Sequence, residues 1–228
     1  MSVSRMDLGL VTTVAKALID AGCVQFRADE PFRLPSGWTS PVYMDCRRII
    51  SFPKLRQDLI NMGIEMLRQR GCLQGVDSVV GAESSGIAFA AMIANTLELP
   101  MHYVRKKAKG LGPLTQIEGA ITQPEKILLV DDLMAAGESK REFCRALNEV
   151  GGIVKDIFVV FDYGVFPTAR VLKHWDVKVH SLATWHDILI AVESESLVDP
   201  RAIGELKLFL KDPMAWSYAH GGIVSTNR

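Results

Sequence analysis

Between residues 53 and 185 short apolar, β-branched runs alternate with longer stretches of helical periodicity, and few folds accommodate that alternation. The runs are too continuously apolar to leave one face in water. They predict an α/β fold: an open, mainly parallel five-stranded sheet with helices on both faces. Strands are expected at 78–81, 101–105, 126–131, 156–161 and 178–183, and helices at 53–70, 86–97 and 139–150, the last stopped by Gly151-Gly152. Ahead of the sheet lie a helix near 7–21 and extended segments around Phe32 and 42–45. Behind it come a helix near 200–210 and a tail, PMAWSYAHGGIVSTNR, whose ending reads as mobile. The expectation is one domain over 1–228, with an N-terminal segment to about 52, an α/β core over about 53–190 and a C-terminal helix and tail over about 191–228.

Composition narrows the function classes. With 228 residues, 48% of them apolar, the chain buries one substantial core. Its 26 basic and 26 acidic side chains cancel, which argues against a nucleic acid or an anionic membrane as partner and favours a small molecule. No apolar run approaches the roughly 20 residues of a membrane span. The first residues alternate at helical spacing, unlike a signal peptide, so a cytoplasmic protein is expected. Cys23, Cys46, Cys72 and Cys144 form no CxxC and have no matching histidine spacing, which predicts reduced thiols and no zinc site.

Open α/β sheets bind ligands at the carboxyl ends of their strands, where loops feed helix N-termini. The informative loops therefore follow Val80, Arg105, Val130 and Phe161. In KILLVDDLMAAGESKREFCRAL an apolar strand runs into Asp131-Asp132, then a turn with Ala135, Ala136 and Gly137 leads into a helix. Small residues let backbone N–H groups approach an anion, and the helix start adds a positive dipole end. Two carboxylates beside that site accept hydrogen bonds from sugar hydroxyls or help hold a divalent cation; alternatively they cap the helix or face solvent. Ser84, Ser85 and Gly86 form a second strand-to-helix turn, suited to a pyrophosphate or to an ordinary N-cap. Next comes RKKAKG, four cations within five residues, in a stretch without periodicity; it is either a functional loop or a solvated face. His102 and His174 are assigned to structure or surface.

The acid-pair stretch resembles the phosphoribosyl pyrophosphate signature of type I phosphoribosyltransferases. In FRLPSGWTSPVYMDCRRIISFP, the residues Ser36, Gly37, Ser40, Pro41, Tyr43, Asp45 and Arg47 follow the order that builds a hood over the base in orotate phosphoribosyltransferases. With VVFDYGVFP, LATWHDIL and DPMAWS, the resemblance runs from Phe32 through Trp216 and looks like a divergent member of a bacterial branch. It implies the type I phosphoribosyltransferase fold with an N-terminal hood. The implied reaction transfers ribose 5-phosphate from phosphoribosyl pyrophosphate to orotate, giving orotidine 5'-monophosphate and pyrophosphate in pyrimidine nucleotide biosynthesis, with Mg²⁺. By the same resemblance Arg105, Lys106 and Lys109 serve the pyrophosphate leaving group and Asp131 and Asp132 face the ribose, reaching a metal at most through water. Ser84, Ser85 and Gly86 would hold the pyrophosphate, Ala135, Ala136, Gly137, Glu138 and Ser139 the 5'-phosphate, and Tyr43, Tyr163 and His186 the base. A homodimer is implied, with loop 105–116 reaching the neighbouring site.

Several positions depart from that pattern. Leu111 replaces a histidine of the basic loop; Met134, Ala135 and Glu138 replace threonines and a small neutral residue of the phosphate loop. Tyr163 and His186 stand where relatives often carry arginine. A Glu138 carboxylate beside a phosphate would be repelled by on the order of 1 kcal/mol, unless it turns outward, as acids in a helix's first turn do. The departures motivate two alternatives: a weakened paralogue that senses phosphoribosyl pyrophosphate or a nucleotide, and an enzyme of the same fold acting on another base.

Overall fold

The computed structural model describes residues 5–34, 37–110, 116–166, 168–195 and 198–222. The expected mobile ending of the tail, Ser36 and Leu111 lie outside the described residues. Two compact units are present: Met1–Ile49 with Gly164–Phe166 and Ala183–Arg228, and Ile50–Tyr163 with Pro167–Leu182.

The first unit begins with α1 (Arg5–Asp20), which buries Val14, Ala15 and Leu18. Four short strands follow: β1 (Val24–Phe26), β2 (Phe32–Arg33), β3 (Thr39–Ser40) and β4 (Val42–Met44). β1 pairs with β4 and β2 with β3, both antiparallel. The Ser40-Pro41 turn is fixed by the Ser40 hydroxyl, which donates to Val42 O at 2.7 Å.

The second unit holds the alternating pattern. α2 (Pro53–Gln69) starts with proline at its first position, after an extended Phe52. Then come β5 (Ser78–Ala82), α3 (Ser85–Leu97), β6 (Met101–Val104), β7 (Ile117–Glu118), β8 (Glu125–Met134), α4 (Glu138–Glu149), β9 (Gly152–Asp162), α5 (Thr168–Leu172) and β10 (Lys178–Thr184). The sheet order is β10-β9-β8-β5-β6-β7. β5 runs parallel to β6 and β8, and β8 to β9. The two-residue β7 adds an antiparallel edge beside β6 that the sequence pattern is too short to reveal. Every residue of β5 is buried, as a strand covered on both faces requires. On one face Val80, Ile127, Leu129 and Val159 meet Phe143 and Leu147 of α4. On the other, Gly63 of α2 lies so close to the Phe158 ring that a Cβ would not fit.

One strand differs from expectation in a way that matters for the site. β8 does not stop at 131 but pairs with β9 through Met134↔Asp162. Leu133 and the buried Met134 continue the ladder, so the acid pair lies within the strand and the turn before α4 shortens to residues 135–137. Near the strand's start Glu125 accepts from Ser78 Oγ, from Thr122 N at 2.7 Å, and pairs with His102 Nε2 at 2.9 Å. Burial alone would raise this carboxyl; the hydrogen bonds from Ser78 and Thr122 and the His102 charge hold it below the usual range. His102 is therefore structural.

After β10 the first unit resumes with α6 (Trp185–Glu195), α7 (Pro200–Lys211) and α8 (Pro213–Ala219). Asp199 and Asp212 cap α7 and α8, and each helix has proline at its start. Trp216 donates Nε1–H to Glu205 at 2.8 Å and meets Phe209 edge-on, which anchors the tail through α8.

Candidate functional site

The second unit brings two helix starts to the carboxyl end of its sheet, α3 after β5 and α4 after β8. Neither is capped by a side chain: Ser84 precedes α3 and Gly137 precedes α4, and neither makes a cap hydrogen bond. That weighs against the ordinary N-cap reading of Ser84 and leaves backbone donors available to an anion at each start. Gly137, at φ +92°, takes the left-handed conformation that lets the short turn enter α4. Ala135 and Ala136 are half-buried in that turn, while Glu138 and Ser139 are exposed on the first turn of α4. Glu138 thus faces solvent, where its repulsion of a phosphate is screened.

Gly86 has a role the sequence does not reveal. A Cβ there would lie 2.5 Å from Val130 O and 2.9 Å from Asp131 Cα, so glycine lets α3 lie directly on the strand that carries the acids. The Ser84-Ser85 turn and the acid pair are neighbours for that reason.

Within the pair the two acids have different surroundings. Asp131 is buried; its Oδ1 accepts from Asp132 N at 2.9 Å and its Oδ2 from Lys140 Nζ at 2.5 Å. Lys140 also donates to Leu133 O at 2.5 Å. Asp132 is only partly covered, and its carboxyl is pushed up to about 7, first by burial and then by the neighbouring Asp131 charge. Lys140 was not among the sequence candidates. Read as sequence it is one more cation in the first turn of an amphipathic helix, and only the return of α4 over β8 brings it to Asp131.

The basic segment divides similarly. Arg105 is held by Glu118 at 2.6 and 3.0 Å and by Tyr103 Oη at 3.1 Å, and its N–H bonds Gln116 O at 2.8 Å. It closes the base of the β6–β7 hairpin. Lys106, Lys107 and Lys109 are exposed, and the Lys106 N–H donates to Glu83 Oε2 at 2.7 Å, tying the segment to the residue before the Ser84 turn.

The candidates for the base lie apart in their roles. Tyr163 is 2% exposed, meets Phe161 edge-on at 6.0 Å, and its N–H bonds Met134 O at 2.8 Å. Its ring is thus part of the core, and its backbone steadies the start of the turn at 135–137. In the first unit Tyr43 packs on Phe32 at 5.5 Å, near an Asp45–Arg47 pair of 2.6 Å. His186 is an exposed residue of the first turn of α6, whose start is bonded through Thr184 to Asp187 at 2.7 Å.

A further cluster, Cys72, Asp156 and His180, places its donor atoms within 4.8 Å of one another, which no sequence spacing revealed. Arg70 sits 3.3 Å from His180 Nδ1 and can only donate, so His180 carries its proton on Nε2 and gives it to Asp156 at 2.7 Å. The lone pair a metal would need is occupied, with a guanidinium alongside. All four cysteines are free thiols.

Two helix starts without side-chain caps, an acid pair on β8 and a lysine-rich segment after β6 thus lie at the carboxyl end of one sheet. Residues 63–194 match the phosphoribosyl transferase domain family. The chain is 41% identical over 211 residues to an orotate phosphoribosyltransferase of Sinorhizobium fredii, spanning 92% of this chain and 91% of that one. It is 42% identical over 208 residues to one of Dinoroseobacter shibae, spanning 90% and 92%. The crystal structure of orotate phosphoribosyltransferase from Aeropyrum pernix matches with a TM-score of 0.70 at 30% identity, covering 79% of this chain and 98% of that one. This chain belongs to the orotate phosphoribosyltransferase family.

Proposed function

We propose that the protein transfers ribose 5-phosphate from phosphoribosyl pyrophosphate to a ring nitrogen of orotate, releasing pyrophosphate. The observation that carries this reading is the acid pair of β8 lying between two helix starts that no side chain caps. In the reaction the C1'–O bond to pyrophosphate breaks with its electron pair leaving on oxygen, and the nitrogen lone pair forms the new bond to C1'. Positive charge develops on the sugar, so the protein's task is to hold the phosphates and neutralise the departing polyanion.

The turn at 135–137 and the first N–H groups of α4 take the 5'-phosphate, and the Ser84-Ser85 turn and the start of α3 take the pyrophosphate. Asp132 accepts from the ribose hydroxyls. Lys106 and Lys109 meet the leaving group; Arg105, held by Glu118, first fixes the hairpin from which they project. Bound Mg²⁺ would reduce the charge of the pyrophosphate. The residues fit it through water: Asp131 is already engaged by Lys140, whereas Asp132, strained toward protonation, gains from a nearby cation. We place Tyr43 and His186 toward the base, the protein in the cytoplasm, where four free thiols persist, and two chains in a homodimer whose loops 105–116 serve each other's sites. Among the described residues no helix is long and apolar enough to cross a membrane.

Steady-state turnover of the purified protein with phosphoribosyl pyrophosphate, Mg²⁺ and orotate is the test. Formation of orotidine 5'-monophosphate is expected. Binding of the sugar pyrophosphate without turnover would make the chain a sensor, and turnover with another base would reassign the substrate.

A further inference from the structure

We infer that Lys140 is a positioning residue for the ribose 5-phosphate group: it locks the phosphate turn at both ends and occupies Asp131, leaving Asp132 to meet the sugar. The inference rests on the proposed role of this turn. Lysine is almost never buried without partners, yet the Lys140 side chain is 7% exposed. Its partners are not arbitrary. Asp131 Oδ2 and Leu133 O, each at 2.5 Å, lie on the strand side of the turn, and Lys140 itself is the third residue of α4 on the far side. One ammonium thus bridges the strand end and the helix start, across residues 134–139.

The missing hydroxyls explain why such a bridge matters here. The side chains of Ala135 and Gly137 offer no donor, Glu138 is exposed, and Ser139 on the first turn of α4 is the hydroxyl that remains. The grip on the anion then depends mainly on backbone N–H groups, whose directions follow the shape of the turn. A turn fixed before the ligand arrives loses less entropy on binding. Lys140 supplies that rigidity from beneath. The same bond divides the acids: both Asp131 oxygens already accept hydrogen bonds, from Asp132 N and from Lys140, whereas Lys140 acts on Asp132 only through its charge.

The test uses the intact protein and ribose 5-phosphate as probe, with its Kd read by titration calorimetry without orotate. K140M, which keeps the length and removes the charge, should weaken ribose 5-phosphate roughly tenfold or more, the scale of a lost charge-assisted hydrogen bond. It should raise KM for phosphoribosyl pyrophosphate in parallel while KM for orotate stays within about twofold. K140R should recover part of the affinity. K140M leaves a buried carboxylate without its partner and could fail to fold; the double variant D131N/K140M removes both charges and should show the same loss of ribose 5-phosphate affinity. Unchanged affinity in K140M, or in the double variant should the single one not fold, would overturn the inference. So would a lower Tm and active fraction with every KM unchanged, the signature of a merely structural lysine. Wild-type protein that binds ribose 5-phosphate but does not use orotate would remove the proposed reaction and leave the role of Lys140 standing. Wild-type protein that does not bind ribose 5-phosphate overturns both.

Discussion

Asp132 keeps its proton to about pH 7 because burial and the Asp131 charge both disfavour its ionised form. An aspartate in the unfolded chain titrates near 3.9. Between those values the folded protein binds the proton more tightly, so stability falls as the pH rises from about 4 to about 7 and then levels off. The ceiling on this effect is about 4 kcal/mol; partial contact with water reduces it to on the order of 2 kcal/mol. D132N removes the charge and adds an amide that can donate to Asp131. It is therefore expected to raise the Tm of the free protein by roughly 4–8 °C at pH 8, with the gain vanishing near pH 4, and to lower turnover. Scanning calorimetry at the two pH values checks it; a Tm at pH 8 equal to or below that of the wild type would mean that Asp132 is not strained. In the proposed reaction, stability is given up at this residue for a charge that would serve the sugar and a cation.

Among the elements, the approach of α3 to β8 sets the distance between the two proposed anion sites, and Gly86 permits it. In G86A the new Cβ would meet backbone atoms, Val130 O at 2.5 Å and Asp131 Cα at 2.9 Å, which cannot swing aside. Overpacking of this kind costs about 1–3 kcal/mol. Because the Ser84 turn must move away from the acids, affinity for phosphoribosyl pyrophosphate should fall by more than tenfold, about the factor that 1.4 kcal/mol represents. Gly204 in α7 is the control: nothing lies within 4 Å of its Cβ position, so G204A should hold or raise Tm, by up to about 1 kcal/mol in helix propensity. A G86A protein that binds and melts like the wild type would show that the close packing is not needed. The same elements show what the sequence could reveal. The parallel strands and α2, α3 and α4 were legible because continuous apolar runs and helical periodicity are distinct signals. α8 is not set apart by periodicity although Asp212-Pro213 is a helix-start pattern, and β7 is two residues long. The end of β8 was misplaced because its last residues are held by pairing with β9, a long-range contact. Lys140 and Glu118 stayed hidden for the same reason: their partners are 9 and 13 residues away around a turn or hairpin.

At the scale of the whole molecule, the proposed homodimer assigns each site residues from two chains, the acids of one and the loop lysines of the other. That arrangement has a consequence a self-contained site lacks. A chain carrying D132N has a damaged acid pair and an intact loop; a chain carrying K106A and K109A has the reverse. Each homodimer then has two defective sites. In a heterodimer one site combines both lesions and the other combines neither, since its acids and its loop come from the intact halves. Random pairing of the two chains makes half of the dimers mixed, with one good site in two, so about a quarter of wild-type activity is expected from isologous pairing of this kind. Co-expression of the two variants with different affinity tags and a turnover assay of the mixture measure it, and the isolated mixed dimer should show about half of wild-type activity. Activity near zero in the purified mixed dimer would place the loop over its own chain's acids, because then each site would still carry one lesion.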